Sequence, residues 1–424
     1  MPFIRLPTIY LSTVSPGPLT AVAQPLSPGA SQPYGSRKPG GTTKIISFQG
    51  LYVFMGIPHM GYVTLVLPFS AGGDVAKRLL STAWLFKVAV HRVFGSAKQH
   101  SALPGTDIGW KSTFRGVAYS IIPNRRYADG VVVLVRGIYE SCRQLGVDFK
   151  GAELSDWLLF QQSEMEYPSR SITLKPGCEV YVTTVSYSGE SYRDVIRPSV
   201  PRSYRALLSR VIEERQEYTG RVMVKGYGFR GNTLWVHGEV HITIPVGFYH
   251  KHMARYGEPK GNLIGGVDVN ADRINLAVVD RNGNLRDYKT FWFEETTARG
   301  YPGRSAWSVI GMKIHEMLEY AYHHGVSTIV LENPEVLGRL RLLWVRRGDR
   351  RHEDYNYKVS IFKSSVIERT AMKAPLYGLN TAFISPKGTT NSTEHTNTMK
   401  RYGLDRHTAS AYLIALRGLT YQSI

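Results

Sequence analysis

GVDVNADRINLAVVD (Gly266–Asp280) decides how the C-terminal part of this chain is read. Working outward, Leu263–Phe293 supplies two or three successive strands, with Asn282-Gly283 as a hairpin turn. In the first strand Asp268 lies between Val267 and Val269, so alternation puts its carboxylate on the face opposite theirs. Ser305–Gly325 has helical periodicity and ends on Gly325 as a C-cap. VSTIVLEN (Val326–Asn333) is a buried strand, Val359–Gly378 a helix, Leu379–Pro386 a strand, and Asp405–Leu419 a last helix with Asp405 as its cap. Strands alternating with helices from Asn262 onward specify an α/β domain.

Acidic residues recur where these elements end. Asp268 sits in the first strand, Glu332 closes STIVLEN, and Asp405 and His407 occupy the first turn of the last helix. A fold that gathers those ends would set oxygen donors around a hard cation, Mg²⁺ or Mn²⁺. Two such ions about 4 Å apart suit phosphodiester hydrolysis. Taken singly, each acid has a plainer role: Asp268 could begin a turn, Glu332 could be a surface charge, and Asp405 could simply cap a helix.

Upstream the texture differs. Residues 1–43 are rich in Pro, Ser, Gly and Thr without periodicity, and read as a disordered leader or as sequence ahead of a later start at Met55 or Met60. Tyr62–Phe69 is a strand. Asp74–Gly95 is a helix with Asp74 as cap, and Tyr127–Gly146 and Ser155–Met165 complete a helical block ending near Tyr167. Ser171–Gly189 and Gly220–Val246 alternate β-branched or aromatic with polar residues, as an antiparallel sheet or barrel does. The expected plan is multidomain α+β. A split β-barrel domain covers 44–70 and 168–261, a helical insertion 71–167, and the α/β domain 262–424.

The 424 residues carry 52 Lys+Arg against 33 Asp+Glu, a net charge of +19, which favours a polyanionic partner, foremost nucleic acid. Two cysteines, Cys142 and Cys178, exclude a disulfide framework or a four-cysteine zinc site, and fit a reducing compartment. No apolar run reaches the length of a membrane span, and the N-terminus has no secretory pattern, so a cytoplasmic, nucleoid-associated protein is expected. GRLRLLWVRRGDRR (Gly338–Arg351) packs Arg339, Arg341, Arg346, Arg347, Arg350 and Arg351 around Trp344, a composition suited to phosphate contacts and base stacking. A solvated charge run is its plainer reading.

GVDVNADRINLAVVD, STIVLENPEV and GLDRHTASAYLIALRGL, in that order, resemble the three RuvC motifs of the TnpB family, transposon-encoded RNA-guided nucleases related to type V CRISPR effectors. The last motif is similar to archaeal members. The resemblance implies an RNase H-like (RuvC) domain after a wedge-like, OB-like β-domain with a helical recognition insertion. It also implies an RNA-guided, metal-dependent DNA endonuclease whose partners are a guide RNA from the transposon end and a double-stranded DNA target.

It further implies Asp268 and Glu332 as the first two metal ligands. In the family pattern DRDxNAA the second Asp is the third ligand. This chain has His407 there, while Asp405 matches the first Asp, so both stand as candidates and Mn²⁺ gains weight. The family's four-cysteine ribbon is absent from Ser385–Gly403, so zinc is not expected and that stretch reads as a polar loop. A nuclease-impaired, RNA-guided DNA-binding protein and an RNA-independent, structure-specific RuvC-like nuclease are the alternatives.

Overall fold

The computed structural model describes residues 10–12, 61–145, 148–154, 157–333, 350–385, 389 and 392–422. Those up to His252 form one compact unit and those from Met253 onward a second.

In the first unit, strands β1 (Tyr10–Ser12), β2 (Tyr62–Gly72), β3 (Leu158–Gln161), β7 (Thr219–Arg230) and β8 (Thr233–Pro245) form an antiparallel sheet of order β1-β2-β8-β7-β3. A second antiparallel sheet joins β4 (Ile172–Leu174), β5 (Val180–Val185) and β6 (Ser191–Ile196). Alternation buries Val63, Leu65, Leu67 and Phe69 of β2 with Val240, Ile242 and Ile244 of β8. Helix α1 (Gly73–Gln99) lays its stripe of Ala76, Leu79, Ala83, Phe86 and Val90 into that core. Helices α2 (Asp107–Tyr119) and α3 (Arg125–Leu145) follow, and α4 (Arg202–Glu213) precedes the β7–β8 hairpin.

Three expectations change here. Of the stretch Ser155–Met165, the described residues 157–165 are not helical: Leu158–Gln161 is an edge strand on β7, because so short an apolar run has no period of its own and takes the structure of its neighbour. Asp74 does not cap α1. The cap position is Gly72, without a side-chain hydrogen bond, and Asp74 pairs with Lys77 one turn on. Within the stretch expected to be disordered, Tyr10–Ser12 is a strand on β2, while the rest of 1–43, with Met55 and Met60, lies outside the described residues.

The second unit, entered through α5 (Val246–Met253), holds β9 (Leu263–Val269), β10 (Arg273–Val279), β11 (Leu285–Trp292), β12 (Val326–Glu332) and β13 (Asn380–Ile384) in the order β11-β10-β9-β12-β13. The first three are antiparallel; β12 runs parallel to β9, and β13 parallel to β12. The hairpin turn expected at Asn282-Gly283 is present, with Gly283 at φ 81°. Helix α6 (Gly303–His323) stops before Gly325 at φ 76°, and α7 (Arg350–Lys373) leads into a 3-10 turn, Ala374–Tyr377.

Ser385–Gly403, expected as loop, contains helix α8 (Thr393–Tyr402). Ser392 Oγ accepts from His395 N at its start, and left-handed Gly403 ends it, so short capping signals outweighed a polar sequence with little apolar periodicity. Helix α9 (Arg406–Gln422) packs on one face of the sheet, where Ala411, Ile414 and Ala415 join Ile264, Ala277 and Val330 in a common core. Helices α6 and α7 pack against the other. None of the described helices is long and apolar enough to cross a membrane.

Candidate active site

The close approach of α9 to β9 builds the site. A Cβ on Gly266 would meet Ala411 O at 2.1 Å and Ala415 N at 2.3 Å, so only glycine lets this helix lie against the strand. Gly418 similarly rides on Val330, where a Cβ would meet Cγ2 at 2.4 Å. Ala411 is one turn after His407 on the same helical stripe, and Asp268 is two residues past Gly266 on the same strand face. Seating Ala411 on Gly266 therefore carries His407 to Asp268.

Asp268 is buried, and its Oδ2 accepts from Asn270 Nδ2 at 2.8 Å and stands 3.3 Å from His407 Nδ1. Lys363 of α7 reaches Asn270 Oδ1 at 3.4 Å. Glu332, also buried, ends β12 and accepts from Thr389 Oγ1 at 2.9 Å. The parallel register pairs Val330 with Gly266, and Glu332 and Asp268 each lie two residues further on, at the ends of their strands. Adjacent strands lie about 4.8 Å apart, so both carboxylates share one end of the sheet.

Asp405 turns inward to its own helix. Its Oδ1 accepts from the backbone of His407 at 2.8 Å and Thr408 at 3.2 Å, and its Oδ2 from Thr408 Oγ1. Burial raises its pKa, but these hydrogen bonds and the nearby His407 outweigh it and leave the carboxyl below its ordinary range. Asn275, paired with Asp268 across β9 and β10, donates to Thr408 Oγ1 at 3.2 Å and Thr290 Oγ1 at 2.8 Å, and so ties the start of α9 to the sheet. Its Oδ1 is buried with no hydrogen-bond partner among the described residues.

Beside this, Arg273 grips Asp272 through Nε at 3.0 Å and Nη2 at 2.7 Å, and lies 3.8 Å from the centroid of half-exposed Trp292. The hydrogen bond from Arg273, against an opposing effect of burial, holds the Asp272 carboxyl low.

The four residues expected to bind metal thus separate into a contacting pair, Asp268 and His407, a carboxylate on the next strand, Glu332, and a helix cap, Asp405. Among the described residues no three His, Cys, Asp or Glu side chains are arranged to hold a metal ion. Mg²⁺ keeps several of its waters and is held through one or two carboxylates, so Asp268 and Glu332 are the residues that would hold it. Arg339, Arg341, Trp344, Arg346 and Arg347 lie outside the described residues, and Arg350 and Arg351 begin α7 with side chains outside the description.

Sequence reasoning passed over Asn270, Asn275, Thr389, Thr408 and Lys363. Asn270 and Asn275 carried a usable signal, as amides in otherwise apolar strand contexts beside Asp268. Thr389 and Lys363 carried none.

No family model matches the chain. Two uncharacterized proteins of Aeropyrum pernix are similar to it, one 57% identical over 96% of both chains, the other 60% identical over 86% of this chain and 99% of its own. An uncharacterized protein of Saccharolobus solfataricus is 36% identical over 42% of this chain and 47% of its own. Among solved structures, a Cas12f1-sgRNA-target DNA complex is similar over 81% of this chain and 82% of that one, at TM-score 0.47 and 11% identity. RuvC of T. thermophilus in complex with a Holliday junction substrate is similar over 38% of this chain and 96% of that one, at TM-score 0.27 and 14% identity. On the sequence identities, the chain belongs to the same family as the two Aeropyrum pernix proteins.

Proposed function

We propose that this protein is an RNA-guided DNA endonuclease of the TnpB type, with its hydrolytic site at the end of β9, β12 and α9. One observation carries the reading: Asp268, Glu332 and His407, one from each of three ordered motifs, lie at one end of a sheet. Its order β11-β10-β9-β12-β13, with an antiparallel meander followed by two parallel strands, supports the RNase H-like reading. The antiparallel sheets and helices of the first unit supply the wedge-like and recognition-like parts, and the net charge of +19 suits a nucleic-acid partner. Base pairing with the guide would read the target, and the protein a short adjacent motif.

Mg²⁺ or Mn²⁺ is the cofactor this reading calls for, with Asp268 and Glu332 as its carboxylates. The first turn of α9 would have to present Asp405 or His407 to it. Because Asp268 Oδ2 is already shared by Asn270 and His407, a guided DNA-binding protein of impaired nuclease activity is the second reading.

The test is to express the protein with its flanking DNA, sequence RNA retained through high-salt washing, and assay cleavage of matched DNA in Mg²⁺ and in Mn²⁺. A discrete RNA with cleavage lost in Asp268→Ala supports the endonuclease. A discrete RNA with guided binding but no cleavage in either metal supports the second reading. Heterogeneous RNA that salt removes overturns both.

A further inference from the structure

On the side of the second unit opposite α9, a group of hydrogen-bond donors converges on neutral acceptors, with no anion among the described residues. Lys373, the last residue of α7, places Nζ 2.5 Å from His315 Nε2. His315 Nδ1 is 2.7 Å from the hydroxyl of Tyr377, which also accepts from Arg255 Nη1 at 3.3 Å. The segment around Arg255 is fixed in place, since Arg255 N donates to Leu376 O at 2.7 Å and left-handed Gly378 has Gly257 O where a Cβ would stand, at 2.3 Å.

The protons in this chain run one way. An ammonium donates only, so His315 Nε2 must accept and Nδ1 must carry the ring proton. That proton goes to Tyr377, whose oxygen is then filled by His315 and Arg255, leaving its own O–H to point elsewhere. Two further N–H groups of half-buried Lys373 are also left over, while Arg255 is exposed and turns its remaining N–H groups to solvent, where an anion could meet them.

No carboxylate is within ion-pair distance of Lys373 or Arg255 among the described residues. Glu319, the acid sensed by Tyr377, is engaged by the Tyr256 hydroxyl at 2.6 Å. Arg369 adds a third cation over the Trp307 ring. Burial, then Arg255 and Arg369, bring Lys373 down to about 8; burial, then Lys373 and Arg255, bring His315 down to about 3. A partly buried cation without a counter-ion is destabilising, and it persists where function needs it.

We propose that Lys373 and Arg255, backed by the His315–Tyr377 pair, form an anion site for a phosphate group. Phosphate provides the missing acceptors and the missing negative charge together. The site stands on the face away from Asp268 and does not depend on the nuclease reading.

The experiment measures the thermal midpoint at pH 7 in sodium pyrophosphate and in sodium chloride of equal ionic strength. The full-length protein should gain about 2–4 °C in pyrophosphate. Lys373→Met should lose that gain yet unfold no lower than wild type in chloride, since it removes an uncompensated charge; Lys373→Arg should keep the gain. A wild-type midpoint that pyrophosphate does not raise above chloride overturns the site, as does a gain retained in Lys373→Met. A ten-residue thymidylate separates the sources. Lys373-dependent protection by it, displaced by pyrophosphate, assigns the site to a nucleic-acid backbone, and protection by pyrophosphate alone assigns it to a free phosphate compound.

Discussion

His407 Nδ1 lies 3.3 Å from Asp268 Oδ2, although 139 positions separate them in the chain. Backbone packing brings the two side chains together, since α9 is seated on Gly266 and tied to the sheet by Asn275. Changes to that seating should therefore alter the site as surely as changes to the carboxylate.

Asp268→Ala should reduce cleavage of guide-matched DNA by roughly 100-fold or more while leaving RNA retention near wild type. Gel assays of cleavage and filter binding of the co-purified RNA check the two halves, and undiminished cleavage would show that the nuclease site lies elsewhere.

Gly266→Ala should destabilise the second unit by about 1–3 kcal/mol, because the new methyl meets backbone atoms of Ala411 and Ala415 that cannot rotate away. Denaturant unfolding should show a lower midpoint at unchanged slope. A neutral result would mean that α9 is free to shift.

Asn275→Ala should lower stability by about 1–3 kcal/mol, as the buried Thr408 and half-buried Thr290 hydroxyls lose their shared donor. Any activity should fall further than stability explains, because the first turn of α9 loses its tether to β10. Comparing cleavage at a temperature where the variant is fully folded separates the two effects.

His315 makes acid sensitivity predictable. Its folded pKa, about 3, lies below the ordinary histidine value, so neutral His315 stabilises the fold fully above about pH 6.5. That contribution is lost as pH falls from 6.5 toward 3. His315→Gln, which cannot take up the proton, should show a shallower loss of thermal midpoint over that window; equal slopes for both proteins would refute the assignment.

Local signals settled much of the second unit. Val267-Asp268-Val269 alternates so strongly that a strand with a carboxylate on its own face was legible, Asn282-Gly283 fixed a hairpin, and Gly325 stopped α6. Ser155–Met165 was misread because WLLF fits either period, and only pairing with β7 makes it a strand. Helix α8 escaped notice because its evidence lay in two caps, not in a stripe.

The sequence by itself determined which residues carry acids and where strands and helices alternate, since these depend on neighbours within a few positions. The tertiary structure decided which of those residues meet. Gly266 and Gly418 set the depth of α9, the parallel pairing of β12 with β9 brought their ends together, and Asp405 was drawn to its own helix end rather than to the shared face. The donor cluster of Arg255, His315, Lys373 and Tyr377 was invisible along the chain for the same reason. Its members come from three separate segments, around Arg255, around His315 and at Lys373–Tyr377, and no periodicity links groups that only packing brings together.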